Sequence, residues 1–397
     1  MFFVDKPYIS KFFKMTVKDN GIPVVGTKTA KKLGLYDGTK IISEDEAVEI
    51  ARKINNPIIY TTSENSIDWI IKHLAFSNLP EKIKLFKDKL KFRELTKSIF
   101  PNFTFKEVRV EDLKNIEFNE LPLPFIIKPT IGFFSMGVYK VSNFEEWGNV
   151  IASIIVEIDK IKDLYPKEVL DTNSFIIEQC INGEEFAVDA YYNSIGEPII
   201  LGIFKHIFSS DKDLSDRLYT SSKEIIENNL EEFTDFAGKI GELAGVKNFP
   251  VHIELRRDNN GTLLPIEVNP MRFGGWCTTP DLSFLAYGFN PYLCYYTQEK
   301  PDWPEILKGK EGKLFSVIVL ENSTGIDEDK IISFNYEKLL STFEKPIELR
   351  KIDYKEYPVF GFLFTETREN NFVELKNILD SDLNEFISNT TDRFSDN

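Results

Sequence analysis

Cysteine is scarce in this chain: only Cys180, Cys277 and Cys294 occur in 397 residues, and they show no metal-ligand spacing. So thin a set suits a reducing compartment and leaves no thiolate zinc site to organise the fold. Basic residues are also in deficit, 48 Lys and Arg against 63 Asp and Glu, for a formal charge of −15. A general nucleic-acid binder would work against its own repulsion of phosphate, so that class is set aside. A small anion such as a nucleotide remains allowed, because it meets only its local pocket. No run approaches the roughly 20 apolar residues of a membrane span. The start, MFFVDKPYIS, has neither the basic nor the long apolar region of a signal peptide. The expected setting is therefore cytoplasmic, without membrane or nucleic-acid partners, and a homo-oligomer stays open. There is no G-x-G-x-x-G in the N-terminal part, and internal repeats and low-complexity tracts are absent.

What is present is core. Hydrophobic residues make up 42% of the chain and phenylalanine alone 34 positions, so disorder is excluded and two or three domains can be filled. Residues 1–85 alternate short apolar strands (MFFVD, IPVVG, IIYTTS) with helical patterns at Lys11–Asn20, Glu44–Lys53 and Ile67–Leu74. That alternation predicts a small parallel α/β domain. From residue 86 to about 300 hairpin patterns dominate, with helices expected over Phe144–Leu164 and Ser222–Ala244. PDWPE, Pro301–Glu305, reads as a linker through its prolines. A C-terminal α+β segment, 301–397, follows as a lid or an interface.

The most informative stretch is FPVHIELRR–DNNG–TLLPIEVNPMRFGGW. With Asn260-Gly261 as a two-residue turn, Glu254 lies opposite Glu267 and His252 opposite Asn269. Pro265 then falls in a non-hydrogen-bonded pair, where its missing N–H costs nothing, as does 254:267, where Cα atoms approach to about 4.5 Å. Val251, Ile253, Leu255, Ile266 and Val268 form the opposite, core face. Two opposed carboxylates repel. They either share a proton, sit on a solvated face, or share a cation, and Mg²⁺ suits carboxylates while leaving positions for phosphate oxygens. Asn269 adds an amide oxygen on the same face.

Other polar positions are individually ambiguous. Lys128 ends the apolar run PFII, and Gly132, Ser135 and Gly137 form a turn whose N–H groups can donate to phosphate oxygens, although it is not a P-loop. Lys89, alone, is a solvated helical lysine. Glu178 closes the strand SFIIE, and Glu185 follows the Asn182-Gly183 turn; together they read as strand–turn–strand that can offer backbone groups to an adenine edge and a carboxylate to ribose hydroxyls.

Taken in order, these pieces resemble the ATP-grasp superfamily. The matching stretches are Asp88-Lys89, Ile126–Val138, IIEQCINGEEF at Ile176–Phe186, HIE at His252–Glu254 and IEVNPMRFGG at Ile266–Gly275, covering about residues 85–300. The resemblance implies a mixed fold, α/β and α+β: the small N-terminal α/β domain, an ATP-grasp domain of two α+β lobes over 86–300, and the C-terminal segment. It implies ATP as cofactor, with Mg²⁺ or in its place Mn²⁺. By resemblance Lys89 and Lys128 contact phosphates, the Gly132–Gly137 turn closes over them, and Glu178, Cys180 and Ile181 hold adenine. Glu185 takes the ribose, and Glu254, Glu267 and Asn269 bind the metal. Arg272 holds a substrate carboxylate and then its acyl phosphate, as a planar bidentate guanidinium can. Met271 departs from the Asn-Pro-Arg order common in the superfamily, which puts the aim of Arg272 in question, and the phosphate turn is poorer in glycine than in many relatives.

Lys205 and His206, adjacent on one strand, are candidates for a basic group near the γ-phosphate, and only one of them can face the site. The loop Phe208–Ser222 offers Asp216, Arg217 and Tyr219 to a second substrate, and Trp276, Thr278 and Tyr287 are candidate pocket residues. The expected activity is ligation of a carboxylate to an amine, both small molecules, amino acids or peptide-like. The alternatives are a biotin-carboxylase-like or carboxylate–thiol ligase, or a non-catalytic nucleotide-binding module.

Overall fold

The computed structural model of the chain describes residues 1–131, 137–161, 173–210, 213 and 215–389. They divide into two compact units that interleave along the sequence. The first holds Met1–Gly183, Tyr191–Pro198 and Asp235–Phe273; the second holds Glu184–Ala190, Ile199–Thr234 and Gly274–Asn397. No helix among the described residues is long and apolar enough to cross a membrane.

The first unit begins with the expected parallel sheet. Its order is Ile41–Ile42, Val24–Val25, Phe2–Phe3, Tyr60–Thr61, every pairing parallel. The strand at Ile41–Ile42 was not expected; it is two residues long and half exposed, too short to show a period. Helices Lys11–Asp19 and Glu44–Lys53 start where serines cap them, Ser10 accepting from the Phe13 N–H and Ser43 from that of Glu46. Glu44, Asp45 and Glu46 in the first turn and Arg52 and Lys53 in the last suit the helix dipole.

A second sheet of this unit has the order Phe105–Arg109, Ser174–Gln179, Phe125–Pro129, Tyr139–Val141, all antiparallel. Alternation along its strands sends Phe125, Ile127, Phe175 and Ile177 into a core closed by Trp147, Ile151 and Ile154 of helix Phe144–Ile161. The same alternation leaves Ile126, Lys128, Ile176 and Glu178 on the other face.

The hairpin Phe249–Arg257 with Leu263–Pro270 keeps the expected pairings at the site, Glu254 with Glu267 and His252 with Asn269, by a different route. The turn is not two residues. Asp258 donates its N–H to Thr262 O at 2.9 Å, Gly261 N–H donates back to Asp258 O, and Gly261 takes φ +83°. Three residues therefore span the loop, with glycine in the left-handed position that a three-residue hairpin needs. This shifts the register by one near the turn, so Pro265 faces Leu255. A bulge between Glu254 and Leu255 shifts it back. Ile266, assigned from sequence to the core face, is only half buried, whereas Val251, Ile253, Leu255 and Val268 are buried as expected.

In the second unit the strand order is Glu184–Tyr192, Pro198–Ile207, Leu218–Ser222, Lys313–Glu321, Val359–Arg368, Pro346–Lys351. The segment 301–397, expected as a separate part, supplies three of these strands, and Lys313–Glu321 pairs antiparallel with Leu218–Ser222. The sequence PDWPE is not a linker either. Trp303–Ile306 is a short helix capped by Asp302, and Trp303 is 5% exposed, packed edge-on to Tyr287 and Phe289, with its indole N–H donating to Ile200 O at 3.3 Å. Two prolines around one tryptophan read as a break only when its burial is unknown. Trp303→Ala should therefore destabilise the protein by about 3–5 kcal/mol, seen as a lower urea midpoint; a linker tryptophan would leave the midpoint unchanged.

Candidate functional site

The candidate site in the first unit is built from a helix, two sheets and the hairpin. Asp88 caps helix Lys89–Thr96, its carboxylate accepting from the N–H groups of Leu90 and Lys91. Lys89 and Arg93, four residues apart, share one face of that helix. Lys89 Nζ lies 3.3 Å from Glu267 Oε2. Arg93 donates through Nε to Glu178 Oε2 at 2.8 Å, and through its terminal nitrogens to Pro265 O at 2.6 Å and Ile266 O at 3.3 Å. The carbonyls beside the hairpin bulge thus gain a charged donor. Arg93 was not identified from the sequence; its spacing from Lys89 was the available signal.

Lys128 completes the set, 2.6 Å from Glu178 Oε1. The pair is buried, with side chains 6% and 4% exposed. Burial opposes the charge of Glu178, but Arg93 and Lys128 outweigh it and hold its carboxyl down to about 2. Burial draws Lys128 below its usual value against the pull of Glu178, and Arg93 and Lys89 add to the fall. Both carboxylate oxygens of Glu178, for which the resemblance implies an adenine contact partly through backbone groups, are taken by cations.

Glu254 and Glu267 are direct cross-strand partners. Asn269 Nδ2 donates to Oε1 of each, at 3.3 and 3.1 Å, and His252 Nε2 lies 3.8 Å from Glu254 Oε1. Burial opposes ionisation of Glu267, yet Lys89, Lys128 and the Asn269 amide bring it down to about 2. Among the described residues no three His, Cys, Asp or Glu side chains cluster to hold a metal by themselves. Two carboxylates and an amide that can turn its oxygen to the same point fit a hard cation that draws its remaining ligands from water and phosphate.

Beyond the hairpin, Met271 takes φ +67° and is buried, its carbonyl accepting from Thr61 N–H at 2.8 Å. That turn delivers Arg272 to Glu64, which receives Nε at 3.2 Å and Nη2 at 2.8 Å on one oxygen, while Lys87 pairs with its other oxygen. Burial opposes the charge of Glu64 as well, and Lys87 and Arg272 bring it down to about 2. Neither Glu64 nor Lys87 was singled out from sequence, where each sits in an ordinary polar stretch. Coulombic interactions join these groups into one cluster: Arg272 feels Glu254 and Glu267, and Lys128 feels Lys89 and Arg93.

Of the remaining expected contacts, Gly132 and Ser135 lie outside the described residues. Gly137 takes φ +70°, and a Cβ there would stand 3.1 Å from Pro129 Cγ, so the end of the turn demands glycine. Cys180 N–H donates to Pro124 O at 3.0 Å, and Ile181 O accepts from Arg256 at 2.5 Å, so both belong to the strand end that carries Glu178.

The second unit places the other candidates. His206 is buried, Nδ1 2.8 Å from Glu185 Oε1 and Nε2 3.0 Å from Ser215 O, with its ring stacked on Tyr219 at 4.2 Å. Lys205 points to the opposite face and pairs with Glu184 in a half-exposed position. His206 is thus the inward member of the two. Arg217, offered to a second substrate, is instead a buried pin whose guanidinium donates to Ile378 O, Ser381 O and Ser323 Oγ. Asp216 accepts from the Tyr219 hydroxyl at 2.7 Å. Tyr287 is also packing, its hydroxyl 2.7 Å from Ser221 Oγ, and Thr278 bonds Gly275 O. Trp276 packs on Tyr357 and Phe362.

Residues 121–280 match the ATP-grasp domain family. Over those residues the chain is similar to an ATP-grasp domain. Solved structures share the fold along nearly its whole length. An L-amino acid ligase from Bacillus licheniformis is 17% identical, with 98% of this chain and 97% of that one covered at a TM-score of 0.69. N5-carboxyaminoimidazole ribonucleotide synthetase from Thermotoga maritima is 14% identical, covering 94% and 95%, at 0.62. The biotin carboxylase domain of a 2-oxoglutarate carboxylase from Hydrogenobacter thermophilus, solved with MgADP, ADP and bicarbonate, is 13% identical, covering 98% and 90%, at 0.60. At these identities the likeness is one of fold. No curated protein matches the sequence.

The ion network of the candidate site has a pH signature. Glu178 and Glu64 sit near 2 in the fold, against 4.5 for an ordinary glutamate. The unfolded chain therefore binds more protons at acid pH, so the stability these groups contribute is present above about 4.5 and is lost as pH falls toward 2. Glu178→Gln leaves Lys128 and Arg93 buried beside a neutral amide and should cost about 3–5 kcal/mol at neutral pH. It should also flatten the acid limb, as read by urea midpoints between about pH 5 and pH 3.

Proposed function

We propose that the chain is an ATP-dependent ligase that activates a small carboxylate as an acyl phosphate and joins it to an amine, releasing ADP and phosphate. The observation that carries this reading is the hairpin: Glu254 and Glu267 face each other under Asn269, with Lys89 at 3.3 Å, and the same strand runs on to Arg272. Like charges opposed on neighbouring strands and only partly exposed are stabilised by cations. The fold shared with an L-amino acid ligase supports amino-acid or peptide-like substrates.

In this reading Lys89 and Lys128 bind the nucleotide phosphates, Lys128 held ready by Glu178. Glu185, steadied by His206, takes the ribose, and the strand end at Cys180 and Ile181 borders the adenine. Glu254, Glu267 and Asn269 would hold Mg²⁺, which when bound would supply Lewis-acid neutralisation of phosphate charge. Arg272 binds the substrate carboxylate. A carboxylate oxygen attacks the γ-phosphorus; the new O–P bond forms as the β–γ bridging bond breaks, and ADP leaves with the electron pair. Lys128 and Arg272 stabilise the charge on the transferring phosphoryl group. The amine then attacks the acyl carbon, phosphate departs, and the amine nitrogen loses a proton. Positioning and exclusion of water protect the acyl phosphate meanwhile.

The test is a screen of L-amino-acid pairs with MgATP for ADP and phosphate release, the product identified by mass spectrometry. Glu267→Gln should lower amine-dependent ADP release at least about 100-fold, the loss typical of a group acting on charge in the transition state. Unchanged turnover in that variant would remove the metal role. Turnover supported by bicarbonate or a thiol with the amine omitted would replace the amine reading.

A further inference from the structure

Arg272 has five N–H bonds and spends three of them inside the protein. Nε and Nη2 donate to Glu64 Oε1 at 3.2 and 2.8 Å, and Nη1 donates to the carbonyl of Phe273 at 2.9 Å. One N–H is left on each terminal nitrogen, and such N–H groups can meet a carboxylate or phosphate edge-on. Held on both flanks, the guanidinium has the direction of its remaining N–H bonds fixed.

Glu64 is itself held. Its second oxygen pairs with Lys87, at the end of helix Leu79–Lys87, and the glutamate and lysine side chains are 16% and 9% exposed. The clamp draws on three separate segments of the first unit: the loop after strand Tyr60–Thr61, the helix end, and the hairpin end. Arg272 also feels the charges of Glu254 and Glu267. Without Glu64 its guanidinium would be drawn toward them and would compete for the oxygens assigned to the cation.

We propose that Glu64, braced by Lys87, is the positioning residue that holds Arg272 away from Glu254 and Glu267 and presents its two remaining N–H bonds to the substrate carboxylate and its acyl phosphate. This rests on the ligase reading above and assigns it a residue outside the matched domain, which begins at residue 121. Glu64 touches no reacting atom in this role.

The experiment compares wild type, Glu64→Asp and Glu64→Gln, each confirmed folded by near-ultraviolet circular dichroism. In protein labelled with ¹⁵N-arginine, the Arg272 Nε–H signal, assigned by its loss in Arg272→Lys, should exchange slowly in the wild type and broaden in Glu64→Gln. A signal unchanged in Glu64→Gln means that Glu64 does not hold Arg272 and overturns the proposal. In steady-state assays with the active pair from the amino-acid screen, Glu64→Gln should lower kcat about 10- to 100-fold, the range typical when a supporting group misplaces a reacting one. The KM for ATP should stay within about two-fold, and Glu64→Asp should recover part of the rate by restoring the charge. A parallel loss of ATP affinity marks a scaffolding role and also overturns it. A wild type that releases no ADP with any amine, its Arg272 signal intact, sinks the ligase reading and this role with it; an active wild type matched by Glu64→Gln sinks the role alone.

Discussion

Glu178 accepts two cations at once, Arg93 on one oxygen and Lys128 on the other, inside a part of the fold with almost no water access. Neither lysine nor arginine could be buried there alone, since an unpaired charge in such a place costs several kcal/mol. Together they tie three elements: the helix that starts at Lys89, the antiparallel sheet carrying Lys128 and Glu178, and, through the carbonyls of Pro265 and Ile266, the hairpin with the opposed glutamates. Lys89, one turn before Arg93 on the same helix, reaches Glu267.

The hairpin illustrates how a local irregularity serves such a junction. A three-residue loop places Gly261 in its left-handed conformation and displaces the pairing by one residue. Had the shift persisted, Glu267 would have faced away from Glu254, since a slip of one position moves a side chain to the opposite face. The bulge restores the facing pair, and the carbonyls it turns outward accept from Arg93. Bulge, arginine and glutamate pair form one arrangement, in which an unpaired backbone segment becomes a binding surface for the cation that organises its surroundings.

Charge balance unites the site. Lys87, Lys89, Arg93, Lys128 and Arg272 stand among Glu64, Glu178, Glu254 and Glu267 in one unit of the fold, in a chain whose overall charge is strongly negative. The basic residues are concentrated where a nucleotide's phosphates are proposed to bind, so the net charge of the whole chain says little about that pocket. In the second unit the alternation of a strand performs a similar sorting: His206 is turned inward to Glu185 and Lys205 outward to Glu184.

The sequence by itself determined the elements whose information is local. Helical patterns marked the helices at Lys11 and Glu44, apolar runs marked most strands, and the spacing Glu254-x12-Glu267-x-Asn269 placed three oxygen-bearing side chains on one face. The order of the motifs carried the resemblance to the ATP-grasp fold. The tertiary structure alone decided which charges meet. Glu178 read as an adenine contact by resemblance; only packing brings Arg93 from 85 residues away to its carboxylate. Glu64 and Arg272 are 208 residues apart, and no periodicity links them. Arg217 and Trp303, polar-loop and linker residues by local pattern, are buried because segments distant in sequence pack against them. Propensity and pattern act over a few residues along the chain. The cost of burying a charge is settled by whatever surrounds it in space, and that surrounding exists only once the chain has folded.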